Sequence, residues 1–201
     1  MNLKTLKTIS FGAVLACLLA VPASPQSAQP AQVGSGPLST WLRGHYNGIR
    51  NNLTRAAEGM PEEFYGLRPG PQMEVRTFGQ IVGHLANYNY QWCADARGEK
   101  NPSEETDFEK VTSKAGLVKG LNEALSYCDG VYAWLTDDRA FESVGSRTEG
   151  GRQIQLPRVG RLIQNVSHDN EHYGNLVTYL RIKSIVPPSS APRPAAPAQG
   201  M

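Results

Sequence analysis

Residues 165–188 read NVSHDNEHYGNLVTYLRIKSIVPP. Val166, Tyr173 and Leu180 recur at the spacing of one helix face, with Val159, Leu162, Ile163, Leu176 and Val177 extending the stripe on both sides. Pro157 suits the first turn of this segment, and Pro187 and Pro188 stop it. At about 100° per residue, His168 and His172 lie roughly 40° apart on a flank of the helix, well away from that apolar centre. Two imidazoles spaced i,i+4 share one face and can grip a single cation. The same spacing also describes a solvated turn of an ordinary helix, and by itself leaves both readings open.

Three more amphipathic segments precede this one. Leu38–Glu58 opens on Ser39 as a candidate cap and places Trp41, Leu42, His45, Ile49 and Leu53 at helical spacing. His45 falls inside that stripe and is expected to face inward as a hydrogen-bonded core histidine. Thr77 caps a second segment to Arg97, with Phe78, Ile81, Val82, Leu85, Tyr88 and Trp92 on one side and His84 on its flank. A third runs from Lys114 to Leu135 through Leu117, Leu121, Leu125 and Tyr132, weakened by Gly116, Gly120 and Gly130. Pro/Gly-rich or polar connections separate them, and the one between Thr136 and Leu156 has room for a short strand-like or irregular piece. Four such helices with no convincing strand imply an all-α four-helix bundle over residues 38–186. Trp41, Tyr88 and Trp92 are read as packing residues.

The ends differ in composition from this core. Residues 1–23 carry Lys4 and Lys7, the apolar run FGAVLACLLAV and small residues around VPAS, the pattern of a cleaved secretory signal that is too short for a stable membrane span. Cys17 is a poor lipoprotein cysteine, because Leu15 and the apolar residues after it do not fit. Residues 24–37 read as a flexible linker and 187–201 as a disordered Pro/Ala-rich tail. Of 20 Lys and Arg, the two leader lysines leave with the signal, which balances the 18 Asp and Glu. A chain so close to neutral has no electrostatic footprint for nucleic acid. A secreted or periplasmic location and small-molecule or protein partners follow. There Cys93 and Cys128 are either a disulfide or two buried thiols.

His84 offers a third imidazole from a second helix. Three neutral nitrogens on one divalent ion leave an open position, as catalytic rather than structural sites do. HDNEH at 168–172 also fits H-x-x-E-H, with Glu171 as base. No Asp or Glu follows Glu171 to act as the downstream ligand such proteases need, so the protease reading fails.

RTFGQIVGHLANYNYQWC (76–93), MPEEFYGLRP (60–69) and the opening 165–188 stretch together resemble the DinB-like (DinB/YfiT) family. That resemblance implies a four-helix bundle in which His84, His168 and His172 hold a divalent ion, zinc or nickel. It also implies a metal-dependent transferase, with low-molecular-weight thiols as cosubstrates in the better-understood members, or a hydrolase. In that scheme Glu171 or Asp169 orients a ligand or moves a proton. Arg158 and Arg161, the arginines considered for thiol binding, are equally explained by a solvated face. The rival expectation is a non-catalytic module of the same fold that dimerises or binds a small ligand outside the cytoplasm.

Overall fold

The computed structural model describes residues 36–192, so the leader, most of the linker and the end of the tail lie outside the described residues. Four long helices carry the fold: α1 (Pro37–Gly59), α2 (Phe78–Arg97), α3 (Lys114–Trp134) and α5 (Arg158–Ile182). α1 and α2 each pack against both α3 and α5, which closes the four into a bundle. α4 (Asp137–Ala140) is a single turn after α3.

Local chemistry sets the helix ends. Thr77 and Gln80 form a reciprocal capping box at the start of α2, and Gly98 ends that helix at φ +73°. α1 starts differently from the Ser39 expectation. Its cap is Gly36, without a side-chain bond, and the free amides of Leu38 and Ser39 are taken by Asp137 at 3.1 and 2.7 Å. A carboxylate about a hundred residues away thus does the work of a local cap, and it also ties α4 to the start of α1.

The core is a continuous apolar cluster in which the Tyr46 and Tyr132 rings stack at 3.9 Å. The buried stripe of α1 is Leu42, Tyr46, Ile49, Leu53 and Ala56. His45 is one step off that line. It is exposed and lies against the exposed Trp41 ring at 4.0 Å, so the inward-facing expectation for both residues is corrected. A stripe drawn to include positions 41 and 45 was simply about 100° too wide.

The connections add two elements, the first a strand pair in the segment with room for one. Ser143–Glu149 (β1) and Arg152–Pro157 (β2) form an antiparallel hairpin with Arg147 opposite Ile154 and Glu149 opposite Arg152. Gly150 and Gly151, at φ +54° and +77°, make a turn that few other residue pairs could adopt. The strands are almost wholly exposed, so no apolar alternation announced them. The start of the tail also packs: Pro187 is buried, a 3-10 turn spans Pro188–Ser190, and Ser189 exchanges hydrogen bonds with the Tyr173 hydroxyl at 2.9 Å.

Among the described residues no helix is long and apolar enough to cross a membrane. The Cys93 and Cys128 sulfur atoms, on α2 and α3, lie at bonding distance with Cα atoms 5.5 Å apart, the geometry a disulfide requires.

Candidate metal centre

The capping box fixes where α2 begins, and His84 stands two turns in, 6% exposed, facing α5. His168 and His172 project from consecutive turns of α5. The three rings gather at centroid separations of 5.0 Å (84–168), 4.7 Å (84–172) and 4.4 Å (168–172). One nitrogen from each falls within 4.8 Å of the others, and the group could hold a metal ion.

The donor set fits such an ion on two counts. Nε2 of His84 and Nε2 of His168 are 3.1 Å apart. Two nitrogens bound at about 2.0–2.1 Å with near-octahedral to tetrahedral angles stand roughly 2.8–3.4 Å from each other. The second count is charge. Burial first, then the neighbouring His172 and His84, push the His168 imidazolium down to about 4, and burial followed by His84 lowers His172 as well. Both rings are therefore neutral near pH 7, the state that can donate a lone pair.

Glu109 completes the arrangement and was not singled out in the sequence. Its Oε1 lies 2.6 Å from His84 Nδ1, while Arg76 holds Oε2 at 2.8 Å. Burial works to raise the Glu109 carboxyl, but hydrogen bonds from Arg76 and His84 outweigh it and hold the group below its usual value. An ionised carboxylate only accepts, so Nδ1 of His84 carries the proton and Nε2 is left facing the cluster. Glu109 sits in a 3-10 turn, Phe108–Lys110, that packs directly on α2 at Gly83; a Cβ there would overlap the Phe108 carbonyl. No periodic pattern marks that turn, and the small residue at 83 is the one sequence signal of the close approach.

The other expected participants are placed as follows. Glu171 is exposed on the solvent side of α5, and its charge acts to raise the neighbouring His172. Asp169 does not face the cluster: it is fully buried and accepts from Asn89 Nδ2 at 2.8 Å, so its assignment to ligand or proton handling is corrected. Helical phase explains this. The buried line of α5 is Leu162, Asn165, Asp169, Tyr173, Leu176 and Leu180, and two polar members hid its true centre. Asn165 donates to Asn89 at 2.9 Å and Tyr132 donates to Asn165 at 2.8 Å, so a buried polar chain runs beneath the histidines.

Tyr88 and Trp92 flank the cluster, with rings 4.8 and 6.1 Å from that of His168. Arg158 is bound to Glu142 and the Ala96 carbonyl, and Arg161 lies 3.6 Å from Asp95, both in the first turn of α5. Two clefts open beside the histidines. One, about 350 Å³, is bounded by Tyr88, Asn87 and Gln91; the other, about 300 Å³, by His172, Arg76 and Ile81.

The profile of the DinB superfamily matches residues 45–176, well over half of the chain and all three histidines. The chain belongs to the DinB superfamily. DinB-like proteins typically bind divalent metals. Among curated proteins no sequence matches this one.

Proposed function

We propose that this DinB-superfamily chain is an exported protein that holds one divalent ion, zinc or nickel, on His84, His168 and His172, and acts as a transferase or hydrolase on a small substrate. The observation that carries the reading is the approach of the His84 and His168 Nε2 atoms to 3.1 Å with Glu109 behind His84. A bound ion would supply Lewis acidity, lowering the pKa of a water or thiol at its open position.

The chain's own residues have separate tasks. Glu109 fixes the tautomer and orientation of His84, and Arg76 fixes Glu109. Tyr88 and Trp92 shield one side of His168 from water. Glu171, open to solvent beside His172, is the group assigned to proton transfer on the outer side of the site. The leader-like residues 1–23 and the paired positions of Cys93 and Cys128 support a location outside the cytoplasm.

Elemental analysis of the purified protein beside His84→Ala and His168→Ala tests the site. About one ion per chain in the parent and far less in both variants is the expected result. Equal metal in all three proteins removes the assignment. Turnover against ester and electrophile-plus-thiol panels then separates an enzyme from a binding module.

A further inference from the structure

We infer that the cleft between Arg76 and His172 binds a small ligand carrying one carboxylate, with the acid group on Arg76 and the reacting end at the three histidines. The inference rests on the metal reading above and names the substrate class of that same site.

Three features of the cleft lead there. First, it is small, about 300 Å³, and Pro69, Val75 and Ile81 give it an apolar wall suited to a short hydrocarbon body. Second, His172 forms part of its lining, so a ligand there reaches the histidine cluster without crossing the protein. Third, the one cation in the lining is Arg76, and it is held ready. The Tyr179 hydroxyl donates to the Arg76 carbonyl at 2.5 Å, and the guanidinium is braced against Glu109 through Nε at 2.8 Å and Nη2 at 3.4 Å.

Pairing with Glu109 does not exhaust that guanidinium. It has five N–H donors, and the Nη1 group and the outer Nη2 hydrogen are left over. The Arg76 side chain remains 43% exposed. Glu109 Oε1 also accepts from His84 Nδ1, which leaves Arg76 Nη2 with only the long 3.4 Å contact to it. Glu74 belongs to the same lining, which disfavours a ligand with a second acid group.

Cobalt-loaded protein titrated with 3-mercaptopropionate and with its neutral counterpart 3-mercaptopropionamide tests the inference. Binding is followed by the cobalt–thiolate absorption and by calorimetry, per loaded site. The thiol is common to both probes, so the difference reports the carboxylate. A charge-assisted hydrogen bond predicts tighter binding of the acid by about 10–100-fold. That preference should fall to about threefold or less in Arg76→Gln and be largely kept in Arg76→Lys, which retains the charge. Equal affinities in the loaded parent protein overturn the carboxylate site and leave the metal reading standing. A preference that survives in Arg76→Gln overturns the role of Arg76. A parent protein that takes up no cobalt overturns the metal reading, and this inference with it.

Discussion

Oε1 of Glu109 stands 2.6 Å from Nδ1 of His84, and this contact joins an exposed connection to the most buried of the three histidines. A carboxylate behind a ligating imidazole fixes its tautomer and raises its basicity, and losing it typically costs about 10–100-fold in metal affinity. Glu109→Ala should therefore weaken metal binding by that factor, measured by competition with a chelator. Glu109→Gln, whose amide oxygen still accepts from Nδ1–H, should lose less. Unchanged affinity in the alanine variant would show that the contact has no part in holding His84.

Gly83 lets Glu109 come so close. A Cβ at 83 would meet the Phe108 carbonyl and the Glu109 amide, and backbone cannot swing aside as a side chain can. Gly83→Ala should push the 3-10 turn off α2, destabilise the fold by about 1–3 kcal/mol, and lower metal affinity in the same direction as Glu109→Ala. Paired urea melts and chelator competition read both effects. A variant with parent-like affinity and stability would mean that the turn tolerates the displacement.

The residues that could be read in the sequence share one property: their signal is local. Thr77 announces the start of α2, Pro157 and Pro187 bracket α5, and His168 with His172 are neighbours on one face by period alone. What was illegible depends on distant partners. Glu109 gains its role from His84, twenty-five residues away, and Asp137 caps a helix about a hundred residues upstream. Asp169 misled because a carboxylate beside two histidines looks functional, whereas Asn89 on another helix draws it into the interior. His45 erred in the opposite sense, since its apolar neighbour Trp41 is itself exposed.

Cys93 and Cys128 are both fully buried and tie α2 to α3 across 35 residues. Cross-linking a loop of that length stabilises by about 3–4 kcal/mol through the restricted unfolded chain. Cys93→Ala/Cys128→Ala should lower stability by that amount in denaturant melts. Non-reducing peptide mapping of the parent protein should recover the two cysteines joined, and two freely alkylated thiols in the native protein would refute the pairing.

Stability against pH separates His168 from Asp169, because their shifts have opposite sign. His168 is lowered from 6.5 to about 4 on folding, chiefly by burial, so the unfolded chain binds its proton first. Its contribution is therefore present above about 6.5 and is lost as pH falls toward 4. Asp169 is raised from 3.8 to about 8 by burial, so the folded chain keeps its proton longer than the unfolded one. Its contribution is full below 3.8 and is lost as pH rises through about 8. For metal-free protein, Asp169→Asn should be more stable than the parent at pH 8, with the advantage shrinking steadily toward pH 4. His168→Asn should remove part of the parent's loss of stability between pH 6.5 and 4 and leave the alkaline limb unchanged. Urea midpoints of the three proteins across pH 4–9 measure both slopes. An Asp169→Asn advantage that does not change with pH would show that Asp169 has no raised titration in the folded chain.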